Sequence, residues 1–220
     1  MKNFLDYLQE NNRTFIESAF NSIDSLILAY LSYFKFPNTI TRLKDLDISK
    51  TTKVEKNKNF IKRVITSNRY KDIELSFFIE DTNDLMEKQF SAVTFLLPNN
   101  TMYISFRGTD STLTGWKEDF NMAFMLPVPS QKEALKYVEK ITKLIPRNFY
   151  IGGHSKGGNL AVYAGCNLAK NLSNRIIKIY SHDGPGFIKE FFTTSNYQNI
   201  KDKIEKVVPS SSIIGMLLYT

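Results

Sequence analysis

Two hydrophobic periods divide the chain. In residues 1–36, Ile23, Leu26, Ile27, Tyr30, Leu31 and Phe34 recur every three or four positions, which predicts a helical region with Asn21 as an N-cap. A second helical pattern surrounds Phe60-Ile61 and Val64-Ile65. From residue 73 the period changes. Residues 73–79 and 90–97 read as strands. Pro98-Asn99-Asn100 reads as a turn. In residues 101–106, Met102, Ile104 and Phe106 alternate with Tyr103 and Ser105, which predicts an antiparallel hairpin. Ser130-Gln131-Lys132-Glu133 has the form of a capping box, opening a helix that carries Ala134, Leu135, Val138, Ile141 and Ile145. A strand at 149–151, a glycine-rich turn, a helix over 157–169 and a strand at 175–180 follow. That order implies right-handed parallel βαβ connections.

Composition narrows the class. The 220 residues are 42% hydrophobic and 23% charged, which excludes disordered, collagenous and low-complexity chains. No segment is rich enough in Pro, Gly or Ser to act as a linker. The expectation is therefore one domain over 1–220, with a helical, basic region at 1–72 and a sheet core at 73–220. Cys166 is the single cysteine, so no intramolecular disulfide can form. With His154 and His182 the only histidines, a typical structural zinc site is excluded as well, and neither metal nor cofactor is expected.

The net charge is +7 and the pI about 9.3, which permits anionic partners without selecting one. Residues 43–72 concentrate basic side chains, among them Lys44, Lys50, Lys53, Lys56, Lys58, Lys62, Arg63, Arg69 and Lys71. The simpler reading is a solvated face. The sharper one, a polyanion surface, lacks the aromatic interleaving of a single-strand binder, so no specific nucleic acid is expected and a weak contact with an anionic membrane surface stays open. The N-terminus lacks the apolar core of a signal peptide, and the run at 26–36 is too short to cross a bilayer, which takes ~20 residues. The expected location is the cytoplasm.

Gly153-His154-Ser155-Lys156-Gly157 fits the pattern G-x-S-x-G. An apolar strand precedes it and a helix with small residues (Gly158, Ala161, Ala164, Gly165) follows, the strand–turn–helix frame of a nucleophile elbow. There the serine hydroxyl projects above the strand ends, and the helix N-terminus favours a negative oxygen beside it. Acyl transfer also needs donors aimed at the developing oxyanion. The Lys156 N–H would be one, and Thr109, in Phe106-Arg107-Gly108-Thr109-Asp110, can offer both N–H and hydroxyl. Arg107 and Asp119 read as a structural ion pair.

These segments resemble a known family. Phe106-Arg107-Gly108-Thr109, the pair Trp116 and Asp119, and the run from Gly153 to Gly158 look like the class 3 lipases of the α/β-hydrolase fold. The resemblance is closer to a bacterial lipase-like group, a domain-of-unknown-function family related to those lipases. It extends to Asp24-Ser25-Leu26-Ile27-Leu28-Ala29, Gln89-Phe90-Ser91-Ala92-Val93, Trp116-Lys117-Glu118-Asp119-Phe120, Asp183-Gly184-Pro185-Gly186-Phe187, Val208-Pro209 and Ser212-Ile213-Ile214-Gly215-Met216. It implies an α/β-hydrolase-like mixed sheet, mostly parallel and flanked by helices, with its C-terminal part incomplete. It also implies that Ser155 is the nucleophile and that Thr109 with the Lys156 amide forms the oxyanion hole. Lys156 departs from the aliphatic residue usual after the serine in the fungal-type enzymes.

The rest of a triad is harder to find. His154 lies inside the turn, where its side chain is expected to pack underneath. His182 adjoins Asp183 at the end of a strand, on the carboxyl side where sites form. By the resemblance, however, the histidine belongs downstream of Gly215-Met216. Asp183 is the candidate acid; an Asx-turn capping Gly184-Pro185 is the equal alternative. The position expected for the acid in class 3 lipases falls near Lys206. Residues 122–129 form an apolar stretch with two readings, the border of an acyl pocket or plain core packing. Three functions stay open: an ester-cleaving serine hydrolase, a non-catalytic binding protein of hydrolase fold, and a peripheral binder of anionic lipid or nucleic acid. Without a positioned imidazole, slow ester turnover is expected.

Overall fold

The computed structural model describes residues 4–109, 113–122, 124–210, 212 and 214–219; for Phe4, Leu113, Thr114, Trp116 and Ile214 it describes the backbone alone. Asp110 and Ile213, named in the motifs above, lie outside the described residues, as does the Trp116 side chain. One sheet runs in chain order through β1 (Thr41–Arg42), β2 (Glu74–Asn83), β3 (Lys88–Leu96), β4 (Met102–Phe106), β5 (Phe149–His154), β6 (Ile176–His182) and β7 (Ile204–Val207). Neighbours from β1 to β4 pair antiparallel, and those from β4 to β7 pair parallel. The predicted hairpin is β3–β4, with Ala92 opposite Phe106 and Leu96 opposite Met102.

The main helices are α1 (Phe4–Glu10), α2 (Ser22–Leu31), α3 (Ile48–Thr51), α4 (Glu55–Thr66), α5 (Leu113–Asn121), α6 (Pro129–Leu144) and α7 (Lys156–Asn167). They cover both sheet faces. On one, Met102, Ile104, Phe106, Ile151 and Ile179 pack with Val138 and Ile141 of α6 and with Leu160 and Ala161 of α7. On the other, Phe95, Tyr103, Tyr150 and Tyr180 pack with Ile27, Leu28 and Leu31 of α2 and with Phe60, Ile61 and Val64 of α4. Covered on both faces, β4 is buried at every residue, Ser105 included. Among the described residues no helix is long and apolar enough to cross a membrane.

Asn21 caps α2 as expected. Its side chain accepts from the Ile23 and Asp24 amides, and Asp24 Oδ2 accepts the Asn21 N–H at 3.0 Å. The helical reading of 1–36 is too generous, because residues 11–20 form a loop. The cause is Arg69. Its guanidinium donates to the carbonyl oxygens of Arg13, Thr14, Ser18 and Ala19 and forms a buried ion pair with Asp24 at 2.5 Å. Most of those carbonyls are therefore turned to a cation instead of to a helical ladder. Arg69 is also the member of the basic run that is not on a solvated face; its side chain is fully buried.

The capping box at Ser130 is also corrected. The N-cap of α6 is Val128, whose N–H is taken by Gln131 Oε1 at 2.9 Å. Ser130 lies one residue inside the helix, and its hydroxyl donates to Gln89 O at 2.9 Å and to Glu118 Oε2 at 2.7 Å.

Candidate active site

The turn from β5 into α7 places Ser155 at φ 55, ψ −131, with the residue partly exposed. A non-glycine residue in this region is strained by roughly 1–3 kcal/mol, and it persists only where its neighbours over-determine it. Here the Ser155 N–H donates to His182 O at 2.9 Å, and Ser155 O accepts the Gly158 N–H at 2.9 Å. Gly157 is required by close approach: a Cβ there would strike the backbone carbonyl of Phe106, at the end of β4. The Lys156 N–H is the first amide of α7 and has no carbonyl within its own helix to bind.

The loop after β4 reaches the same turn. A Cβ on Gly108 would lie 3.2 Å from Ser155 Cβ and 2.6 Å from His154 O, so the backbone passes directly against the serine. The next residue, Thr109, donates its hydroxyl to Asp119 Oδ2 at 2.6 Å. This fixes Thr109 and makes its N–H the donor that remains for an oxyanion. Burial pushes the Asp119 carboxyl up, opposed by the Thr109 hydrogen bond and the Lys156 charge. The expected Arg107–Asp119 pair does not form. Arg107 leaves β4 towards β2 and pairs with Glu80 at 2.6 Å, while Asp119 faces Thr109 from α5.

Lys156 carries a side-chain role that its place after the serine did not announce. Its Nζ is buried, 3.0 Å from Glu118 Oε2 and 3.0 Å from Gln89 O. Glu118 also accepts from the Gln89 N–H, the Ser130 N–H and the Ser130 hydroxyl. The residue that follows the serine is thus tied to β3, α5 and α6 at once.

Neither histidine is hydrogen-bonded to the Ser155 side chain. His154 and His182 are register partners on the α2 face. His182 Nε2 meets Ser25 Oγ at 2.9 Å, its ring stacks parallel on Tyr180, and its Nδ1 is buried without a hydrogen-bond partner. Burial, with the neighbouring His154, pushes His182 down to about 4, and Glu205 opposes the shift. As the base, His182 would have to face the serine; instead only its carbonyl does. Burial lowers His154 as well, and the Asp183 charge opposes it. Asp183 adopts φ 53, and its Oδ1 accepts the Ser212 hydroxyl and, at 3.0 Å, the Gly215 N–H. It therefore anchors the returning chain near 212–215. Lys206 stands close enough for the two charges to interact, and its Nζ is buried without a hydrogen-bond partner.

Sequence reading missed Tyr33. Its hydroxyl lies 2.9 Å from His154 Nδ1 and sits against Gly108, where an added Cβ would collide with it, so one phenol links the loop before Thr109 to the turn before Ser155. Its place at the end of an amphipathic stripe gave no signal. In the 122–129 stretch, Met122 and Val128 are buried, whereas Phe124 is 73% exposed and lies 5.3 Å, ring to ring, from the exposed Phe120. Leu126 also packs against that core, so plain core packing leaves out Phe124 and the exposed Met125.

This sheet, its covering helices and the strained turn at the carboxyl end of β5 define a lipase-like α/β-hydrolase domain. The chain belongs to the Mbeg1-like family, whose model matches residues 64–220. Among solved structures it is similar to M37 lipase, at 17% identity and a TM-score of 0.56 over 87% of this chain and 68% of the other. It is also similar to lipase II from Rhizopus niveus, at 20% identity and a TM-score of 0.46 over 64% of this chain and 60% of the other. A third is the Rhizomucor miehei lipase in its propeptide complex, at 21% identity and a TM-score of 0.47, covering 65% and 51% respectively. The chain thus spans 60% and 51% of the two fungal enzymes. At these identities the likeness is one of fold. Comparison with curated proteins finds no match.

Proposed function

We propose that this chain is a serine hydrolase that cleaves carboxylic esters through an acyl-enzyme on Ser155. One observation carries the proposal: Ser155 is held in a strained backbone at a strand–helix junction, directly against the loop that presents Thr109. In this reading Ser155 Oγ attacks the ester carbonyl, and the developing oxyanion is met by the N–H groups of Thr109 and Lys156. The alcohol departs with a proton. Water then releases the acid, so ester and water give acid and alcohol. Asp183 is the candidate acid for orienting an imidazole. His182 is not the base in this account, because its Nε2 is committed to Ser25.

The test is hydrolysis of short-chain p-nitrophenyl esters by the 220-residue chain, Ser155→Ala and His182→Ala. The expected result is slow turnover, within the roughly 10³–10⁴-fold over water that an oxyanion hole and binding sustain without a full triad. Ser155→Ala should abolish acyl-enzyme formation while leaving the slow oxyanion-hole turnover, and His182→Ala should change neither. Fast turnover lost in both variants would make His182 the base and overturn this assignment.

A further inference from the structure

One wall of a cavity of about 570 Å³ is Tyr33, whose hydroxyl reaches His154 beside Ser155. Its position follows from α2. Phe20, just before this helix, stacks on Tyr150 at the start of β5 with ring centroids 4.4 Å apart, and Tyr33, just after it, meets His154 at the end of β5. The helix therefore runs alongside β5, and its carboxyl end lies at the sheet edge that carries Ser155. Tyr33, at that edge, walls the cavity together with Tyr30 and Phe34, and Lys35, Lys50 and Lys53 line it as well. Among the described residues no acidic side chain lines it. Lys35 is 3.9 Å from Glu80 and Lys50 is 3.5 Å from Asp47, both long, exposed pairs, and Lys53 pairs with no carboxylate among the described residues. The size suits a small ligand. Aromatic walls favour an apolar body, and the lysines favour a negative charge at one end.

We propose that this cavity is a substrate subsite, and that the ester cleaved at Ser155 carries a phosphate or carboxylate group seated among Lys35, Lys50 and Lys53. The proposal rests on the serine-hydrolase reading and names its substrate class. Tyr33 supplies the connection, because the residue lining the cavity also meets His154 and packs against Gly108 beside Ser155.

The test measures equilibrium binding of hexyl phosphate, hexanol and inorganic phosphate to the chain, together with the rate at which a fluorophosphonate labels Ser155 in their presence. Hexyl phosphate should bind about tenfold more tightly than hexanol or inorganic phosphate, the scale of a few exposed charge contacts added to apolar contact. It should slow labelling in proportion to its occupancy. The triple variant Lys35→Gln, Lys50→Gln, Lys53→Gln should lose that preference, and hexyl phosphate at the concentration that protects the wild type should no longer slow its labelling. Equal binding of hexyl phosphate and hexanol, unchanged binding in the triple variant, or binding that leaves labelling untouched would overturn the subsite and spare the hydrolase reading. Inorganic phosphate binding as tightly as hexyl phosphate would reduce it to a plain anion site and likewise overturn the proposal. Absence of Ser155 labelling in the free protein would instead overturn the hydrolase reading itself.

Discussion

Two buried ion pairs hold this molecule together, and they do different work. Arg69–Asp24 closes the helical layer on the α2 face, where Asp24 also accepts from the Tyr70 hydroxyl. Lys156–Glu118 lies on the other side of the sheet, next to the strained serine. Each is saturated by further hydrogen bonds, the condition under which a buried charge is tolerable. The first fixes where a layer sits. The second fixes the residue whose amide would meet an oxyanion. The difference is that equal burial does not mean equal function: what matters is which backbone atoms the pair immobilises.

Breaking the architectural pair should have the larger effect on stability. Asp24→Ala leaves Arg69 buried without its carboxylate, and the expected loss is about 3–5 kcal/mol, read from chemical denaturation. Where the variant folds, Ser155 labelling should stay near the wild-type rate. Lys156→Met should behave in the opposite sense. Glu118 keeps three donors, so the stability loss should be smaller, about 2–3 kcal/mol, while labelling of Ser155 slows because the turn is no longer tied to β3. Equal effects of both substitutions on labelling would erase the distinction.

The two pairs also show what a sequence can and cannot announce. The change from helical to strand period, the hairpin at 98–100 and the glycine spacing around Ser155 are local signals, and each corresponds to the element built there. Asn21 was legible for the same reason, since a cap reads its own next three residues. Arg69 was not. Its partner lies 45 positions earlier, and nothing in a run of lysines marks the one basic residue that turns inward. The buried side-chain roles of Ser130 and Lys156 were illegible likewise, because their common partner Glu118 is brought to them only by the fold. At the candidate site, the strand–helix turn at Ser155 and the approach of the loop that carries Thr109 were legible from motif spacing. Tyr33 was not, because the link it makes joins positions 121 residues apart.

The α2 face makes a pH prediction of its own. Folded His182 titrates at about 4 against an ordinary 6.5, so the unfolded chain takes up a proton first as the solution is acidified. The stability that this group contributes is complete above pH 6.5 and is lost as pH falls towards 4, by on the order of 3 kcal/mol. Thermal unfolding between pH 7 and pH 4.5 should show the decline, and His182→Gln should flatten it. An unchanged slope would mean that the imidazole is not held neutral. The smallest effect is expected at Tyr33. Tyr33→Phe removes one hydroxyl between Gly108 and His154, about 1 kcal/mol, and should slow Ser155 labelling a few-fold with little change in the unfolding midpoint.

The central claim is that Ser155 and the Thr109 loop form one reactive centre. It is tested most directly by locating the covalent adduct of a fluorophosphonate by peptide mass spectrometry in the wild type, Ser155→Ala and Asp119→Ala. The account predicts a single adduct on the peptide containing Ser155, none in Ser155→Ala, and labelling slowed about tenfold or more in Asp119→Ala, where Thr109 loses the carboxylate that fixes it. An adduct on another residue, or labelling indifferent to the loss of Asp119, would contradict it.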